Sequence, residues 1–119
     1  MSSTTQHQNL LRNMYVAFNA RDIPSILQVM HPQVRWPRAW KGDYVDGHDA
    51  VRSYWLHQWQ EVNPRVEPTG FTQRTDGSVE VAVHQLVKDM QGQVLFDGPV
   101  KHIYTIEDGL IKQMDIEQG

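Results

Sequence analysis

The chain has 119 residues, a formal net charge of −3 and no cysteine. Its length predicts a single domain, residues 1–119, with one hydrophobic core. A negative net charge argues against the basic surface that binding to nucleic-acid phosphates requires. The absence of cysteine excludes disulfides, thiolate zinc sites and cysteine nucleophiles. Residues 1–13 lack the apolar segment of a signal peptide, and no run of about 18 apolar residues predicts a membrane span. We therefore expect a cytoplasmic protein that binds neither nucleic acid nor membranes.

Three amphipathic segments in the first half of the chain predict three helices. The first runs from Thr5 to Asn19, where apolar residues recur every three or four positions. Asp22 is a suitable N-cap for a second, short helix, which stops at His31-Pro32. A third helix is predicted from about His48 to Glu61. It carries much of the aromatic content of the chain on one side, at Tyr54, Trp55 and Trp59.

The second half of the chain changes to the two-residue period of β-strands. Three turn signals, Asp76-Gly77, Gln91-Gly92 and Asp108-Gly109, divide the residues from Val66 onward into four strands of an antiparallel meander. A further short strand is predicted at Val34–Trp36. Because the helices precede the main sheet, the sequence predicts an α+β fold with the helices packed on one face of a strongly bent sheet.

The order of these elements resembles the nuclear transport factor two-like superfamily. The likeness rests on residues 19–23 (Asn-Ala-Arg-Asp-Ile), on residues 47–52 (Gly-His-Asp-Ala-Val-Arg), and on residues 102–112, which are similar to the closing hairpin of the SnoaL-like polyketide-cyclase branch. The resemblance implies a cone-shaped, curved antiparallel sheet whose three N-terminal helices enclose an apolar pocket. It also implies a homodimer paired through the sheets. The superfamily includes isomerases, dehydratases, epoxide hydrolases, cyclases, adaptors and non-catalytic binders.

The active sites of two catalytic branches of that superfamily do not carry over to this sequence. Ketosteroid isomerases use a tyrosine and an acid to hold an oxyanion, and an aspartate as the general base. The matching motifs here place Met14, His102 and Pro37 at those three positions. Limonene epoxide hydrolases use an Asp-Arg-Asp set, of which the same hairpin alignment keeps only the first aspartate, as Asp97. Neither chemistry is therefore expected.

The pairing of the last two strands decides which side chains face the pocket. If residues 107–109 form a three-residue loop, His102 pairs with Met114 on a largely apolar face. If Asp108-Gly109 forms a two-residue turn, His102 pairs with Asp115 and the face becomes more polar. We predict the first register because it separates apolar from polar side chains better.

His102 is the chief candidate for a polar group in the pocket, because a neutral imidazole can both donate and accept a hydrogen bond. If the protein is an enzyme, His102 would polarise or protonate a carbonyl oxygen, with His84 or Asp97 as a second catalytic group. The alternative is a histidine that only bonds its core neighbours. The sequence does not fix the face of His84, because Gly98-Pro99 is expected to bulge the partner strand.

A set of large side chains is expected to line the pocket and bind a small apolar or aromatic molecule. The alternative for each of them is plain core packing. The loop of residues 37–47 would cover the mouth, with Arg38 meeting an anionic substituent. The predicted substrate-binding residues are Met14, Phe18, Trp36, Trp40, Tyr54, Trp55, Trp59, Tyr104 and Met114.

No metal or cofactor is expected. His48 and His57 lie nine residues apart, which does not match a helical ligand pair, and no serine occurs in a nucleophile elbow. The sequence predicts a small-molecule-binding protein, catalytic only if it is a cofactor-free isomerase, cyclase or dehydratase. The alternative is a non-catalytic dimerisation or adaptor module whose own side chains fill the pocket. A homodimer is expected because Ile103 and Ile111 would leave apolar area on the second face of the sheet.

Overall fold

The computed structural model describes residues 3–38 and 42–118, with side chains described for residues 5–38 and 42–117. The helices in this part of the chain are α1 (Ser3–Asn19), α2 (Ile23–Gln28) and α3 (His48–Glu61). The strands are β1 (Met30–Arg38), β2 (Asp43–Asp46), β3 (Val62–Gln73), β4 (Val79–Asp89), β5 (Val94–Glu107) and β6 (Leu110–Gln118). None of these helices is long and apolar enough to span a membrane.

The strands form one curved, unclosed sheet in the order β2-β1-β6-β5-β4-β3. The α+β prediction is confirmed, as is the meander of β3 to β6 with its predicted turns. The sheet is mixed rather than wholly antiparallel, because β1 runs parallel to β6. β1 is not part of the meander, and on its other side it pairs antiparallel with β2.

The three helices form where the sequence pattern predicted them, except that α2 ends at Gln28, so that His31 and Pro32 lie in β1. Along α1, Leu11, Tyr15 and Phe18 are buried as one stripe. Asp22 caps α2, accepting hydrogen bonds from the backbone N–H and the hydroxyl of Ser25. α3 has the predicted limits. The short strand β2 was not predicted, and it forms a hairpin with β1.

The closing hairpin follows neither predicted register. Residues 108–109 form a two-residue turn with φ angles of 56° and 75°. A bulge at Lys112 then shifts the pairing, so that His102 lies opposite Ile116 rather than opposite Met114 as predicted. The two-residue turn and the bulge together preserve the alternation of faces that the three-residue loop would have given. His102, Tyr104, Met114 and Ile116 therefore share one face, as predicted.

The core lies between the helices and one face of the sheet, called the inner face below. Its strand residues, aligned by the pairing register, include Val81, Val83, Val100, His102, Tyr104 and Met114. α1 packs on β3, and α3 packs on β1, β2 and β3.

Ile103 and Ile111 do not form the exposed apolar area that was predicted on the second face of the sheet. Ile103 is 7% exposed and Ile111 is 0% exposed within the single chain, and Ile111 belongs to the core. Ile111 lies opposite Ile106, whose side chain also packs against the core. Exposed apolar side chains occur instead near the β4–β5 turn, at Met90, Val94 and Leu95.

Candidate functional site

A cavity of about 60 Å³ lies between α1, α3 and the inner face of the sheet, and it is open to solvent on one side. Its walls are mostly apolar. The residues that line it are Phe18, Trp36, Pro37, Tyr54, Trp55, Gln58, Pro64, Val66, Gln85, His102, Met114 and Ile116.

His102 is the titratable imidazole among the lining residues, and β5 holds it on the inner face. The side chain is almost fully buried, at 6% exposure. Burial lowers its pKa from the ordinary 6.5 to about 4. The ring is therefore neutral near pH 7. Its Nδ1 lies 2.8 Å from the hydroxyl of Tyr15, which leaves Nε2 as the nitrogen available to the cavity.

Tyr15 and Tyr104 lie behind His102 and form its polar support. The two tyrosine hydroxyls are 2.7 Å apart. Burial raises the pKa of Tyr15 and of Tyr104 above their usual values, so both stay protonated at neutral pH. The three rings also stack or meet edge to face, at centroid distances of 6.0 to 6.2 Å. The site therefore holds one polar cluster inside an apolar shell.

The aromatic residues of α3 and β1 form a continuous packed wall. The Trp55 ring meets the Trp36 ring edge to face at 5.4 Å and stacks on Trp59 at 5.9 Å and 13°. Phe18 meets both tryptophans of α3 edge to face. Trp59 has an indole N–H that is buried and has no hydrogen-bond partner in the described part of the chain.

The structure divides the predicted substrate-binding residues into three groups. Those that line the cavity are Phe18, Trp36, Tyr54, Trp55 and Met114. Those that pack behind the lining residues, without facing the cavity, are Met14, Trp59 and Tyr104. Trp40 falls outside the described residues.

His84 and Asp97 do not reach the cavity. Regular pairing through Gly98 and Pro99 places both side chains on the outer face of the sheet, opposite to the face of His102. The expected bulge at Gly98-Pro99 does not form; the irregularity in this pair of strands lies at Val87/Lys88 instead. His84 Nε2 lies 2.5 Å from an Asp97 carboxylate oxygen, and both are about half exposed. They form a surface pair, separate from the cavity.

The segment expected to cover the mouth is only partly described, because residues 39–41 lie outside the described ranges. Pro37 lines the cavity. Arg38, expected to meet an anionic substituent, instead forms a salt bridge with Asp43 across the β1–β2 hairpin. Its charge is thus balanced within the chain.

Three polar residues of the site were not predicted from the sequence. Gln58 lines the cavity and donates a hydrogen bond to the Tyr54 hydroxyl, and Gln85 lines it from β4. Gln58 lies three residues after Trp55 on the same helical face, a spacing that could have indicated it. Tyr15 belongs to the predicted apolar stripe of α1, and its buried hydroxyl needed a partner that the sequence did not specify.

One group of potential metal ligands lies at the surface, at His31, Glu107 and Asp108. His31 Nδ1 accepts a hydrogen bond from the backbone N–H of Gln33 at 3.0 Å. The neutral ring then carries its proton on Nε2, the nitrogen 3.8 Å from Asp108. A metal-binding histidine instead donates from its second nitrogen. Nδ1 of His31 is therefore already occupied within the chain, and Nε2 is the ring nitrogen that faces Asp108.

Comparison with known proteins places these features in a family. The model of the SnoaL-like domain matches residues 11–114. The chain is similar to an NTF2-like protein from Burkholderia pseudomallei, at 24% identity over 100% of this chain and 92% of that chain, with a TM-score of 0.83. It is also similar to TerC co-crystallised with polyporic acid, at 25% identity over 96% of this chain and 92% of that chain, with a TM-score of 0.82.

A third similar structure is a Mycobacterium tuberculosis protein in complex with estradiol-17beta-hemisuccinate, at 14% identity over 92% of this chain and 90% of that chain, with a TM-score of 0.78. The comparison with functionally curated proteins finds no match. The family model covers most of the chain, and the neighbours share its curved sheet and its helices. The chain therefore belongs to the SnoaL-like domain family and has the nuclear transport factor two-like fold.

Proposed function

We propose that this chain binds a small, planar, largely apolar molecule, which inserts one edge into the cavity and places a polar atom at His102. The observation that carries the proposal is the buried imidazole of His102 at a mostly apolar cavity, with one ring nitrogen free of intramolecular partners among the described residues. Concave sites with apolar walls and a few fixed polar groups are typical of small-molecule binding.

The size of the cavity limits how the ligand binds. Sites that enclose a drug-sized ligand have volumes of roughly 300–1,000 Å³. The cavity here is about 60 Å³. The ligand therefore inserts one ring or one edge, and the remainder lies outside the cavity at its open side.

The chemistry of the lining favours binding over proton abstraction. Among the described residues that line the cavity, none carries a carboxylate. The His84–Asp97 pair lies on the outer face. An isomerase or dehydratase needs a base within about 3 Å of the proton that it removes. His102 can polarise a carbonyl oxygen, and a partner base is not among the described lining residues.

Two similar structures support a ligand of this kind. TerC was co-crystallised with polyporic acid, and the Mycobacterium tuberculosis protein was solved with estradiol-17beta-hemisuccinate. The fold of this chain thus holds small organic molecules in other proteins. This chain offers no glycine-rich phosphate loop, so nucleotides are not the expected ligands.

The second candidate function is a non-catalytic dimerisation or adaptor module. The dense packing of Trp55 against Trp36 and Trp59 favours it, because the chain fills much of the space with its own side chains. We also propose that the chain forms a homodimer, with Met90, Val94 and Leu95 as the contact, since these apolar side chains are exposed together near one turn.

Native mass spectrometry and tryptophan fluorescence separate the two functions. Trp36 and Trp55 line the cavity, so a bound aromatic molecule should quench their emission. We expect steroid-like and polyketide-like aromatics to bind, and nucleoside triphosphates not to bind. Ile116→Phe should block the cavity and abolish quenching, whereas the control Leu56→Phe, at an exposed site on α3, should leave it intact. Binding by neither class, with no co-purified molecule, would favour the adaptor.

A further inference from the structure

Three buried side chains, Tyr104, Tyr15 and His102, form a chain of hydrogen bonds that ends at the cavity. The hydroxyls of Tyr104 and Tyr15 are 2.7 Å apart, and the Tyr15 hydroxyl is 2.8 Å from His102 Nδ1. Within residues 5–38 and 42–117, the Tyr104 hydroxyl has no other hydrogen-bond partner, and His102 Nε2 has none. Because His102 lines the cavity, Nε2 is the ring atom left for a ligand.

Counting protons decides the direction of these hydrogen bonds. If Tyr104 donates to Tyr15 and Tyr15 donates to Nδ1, both hydroxyl protons have an acceptor, and the neutral ring carries its own proton on Nε2. If the ring instead donates from Nδ1, Tyr15 must donate to Tyr104, and the Tyr104 proton has no acceptor among the described residues. Tyr104 is 0% exposed, so an unpaired hydroxyl there is costly. The first arrangement is therefore favoured.

We propose that Tyr104 and Tyr15 fix His102 in the tautomer with its proton on Nε2, and that the cavity therefore selects ligands that present a hydrogen-bond acceptor, such as a carbonyl oxygen. The ligand class rests on the proposed binding function. Tyr15 and Tyr104 are positioning residues, because they act through His102. The fixed N–H polarises a carbonyl oxygen, and Nε2 cannot accept a proton from the ligand because that position is already occupied.

The tautomer can be measured without any ligand, on the full chain labelled with ¹⁵N at histidine. Two-bond ¹H–¹⁵N spectra at pH 7 distinguish the two neutral tautomers and the protonated ring, and the spectrum of His102→Gln assigns the signal. We expect the Nε2–H form in the wild type. A proton on Nδ1, or a doubly protonated ring at pH 7, would overturn the inference whatever the protein binds.

The variant Tyr15→Phe tests whether Tyr15 fixes the tautomer of His102, and Tyr44→Phe is its control. Tyr15→Phe removes the donor to Nδ1, so the single tautomer should be replaced by a mixture. The control Tyr44→Phe removes a hydroxyl that donates to Asp115, away from the cavity, and should leave the His102 signal unchanged. An unchanged tautomer in Tyr15→Phe would show that Tyr15 does not fix it. If that variant does not fold, the wild-type spectrum alone decides the tautomer.

The ligand class is tested with 1-tetralone and tetralin, which share a bicyclic skeleton and differ by one carbonyl oxygen. We expect 1-tetralone to bind at least about tenfold more tightly, and His102→Leu to abolish that preference. The carbonyl stretch of bound 1-tetralone should move to lower frequency in the wild type and return toward the free value in Tyr15→Phe. A purely structural role of Tyr15 would weaken both probes alike and leave the stretch unchanged.

The outcomes separate this inference from the function on which it rests. Equal binding of both probes would refute the selection of acceptors and leave the binding function standing. Binding of neither probe, together with the Nε2–H tautomer, would refute the binding function and the ligand class while the hydrogen-bond arrangement stands.

Discussion

At the scale of single residues, His102 uses one ring nitrogen inside the protein and leaves the other at the cavity. Tyr15 is its intramolecular partner. Burial disfavours the charged imidazolium, and no carboxylate among its described hydrogen-bond partners offsets that effect. The same burial that makes His102 a neutral donor makes the folded state sensitive to acid.

The pH dependence of stability follows from the lowered pKa of His102. Between its unfolded pKa of 6.5 and its folded pKa of about 4, the unfolded chain binds a proton that the folded chain does not. The contribution of neutral His102 to the free energy of unfolding is therefore complete above pH 6.5. It is lost as the pH falls toward 4, by about 3 kcal/mol in total.

Urea denaturation from pH 7 to pH 4 measures this loss. Acidic groups such as Asp76, whose pKa is lowered by hydrogen bonds from Ser78, also lose stabilisation in acid. These acidic groups are present in both the wild type and His102→Gln, so their effect cancels when the two pH dependences are compared. We expect a shallower pH dependence in the variant, and parallel curves would contradict the assignment.

Trp55 is the side chain whose removal should cost the fold most. It is 1% exposed and contacts Trp36, Phe18 and Trp59. Trp55→Ala should lower the free energy of unfolding by about 3–5 kcal/mol, since it leaves a cavity as well as losing apolar burial. The adjacent Leu56→Ala, half exposed, should change it by less than about 0.5 kcal/mol. Similar midpoints in chemical denaturation for both variants would show that the wall is not packed as described.

At the scale of elements, the entry to α3 depends on one glycine conformation. Gly47 is the N-cap residue with φ 87° and ψ 164°, a combination that side chains exclude, and it provides no side-chain cap. Its N–H donates to Val34 on β1 at 2.7 Å. The turn thus ties the third helix to the strand that carries Trp36.

Substitution of this glycine should be costly for a conformational reason. A Cβ at Gly47 would meet only Pro32 O, at 3.7 Å, so the steric space is adequate. Gly47→Ala should nevertheless lower the free energy of unfolding by about 1–3 kcal/mol. The control Gly70→Ala has no such φ angle, and its Cβ would lie 3.9 Å from Ala82. It should be neutral or stabilising by up to about 1 kcal/mol in thermal unfolding. Equal losses for both would contradict this explanation.

At the scale of the whole molecule, one sheet face and the helices share a single core, and the outer face carries polar pairs such as His84–Asp97 and Arg74–Glu80. Exposed apolar side chains also lie near the β4–β5 turn. Leu95 is 57% exposed and Met90 is 58% exposed.

We expect a homodimer that uses this exposed region. Light scattering at micromolar concentration should give twice the mass of one chain for the wild type. Leu95→Glu should give the mass of one chain, because it places a charge in the apolar contact. The control Val16→Glu, at a 70% exposed site on α1, should remain dimeric. A wild-type mass of one chain would refute the dimer.

Much of the fold was determined by local sequence. The apolar spacing of Leu11, Tyr15 and Phe18 marks α1, Asp22 caps α2, and the turn signals separate the four meander strands. These patterns act within a few residues, so the sequence alone reveals them. The segregation of apolar side chains also predicted that His102 lies on the inner face, which the structure bears out.

The tertiary structure decided how distant segments meet. The bulge at Lys112, the parallel pairing of β1 with β6 and the outer position of His84 depend on how whole strands align. The hydrogen bond between Tyr15 and His102 joins residues 87 positions apart, and the sequence carries no local signal for it. Local pattern indicates many of the buried side chains, whereas the partners of a buried polar group depend on the packing of elements that the chain brings together only when it folds.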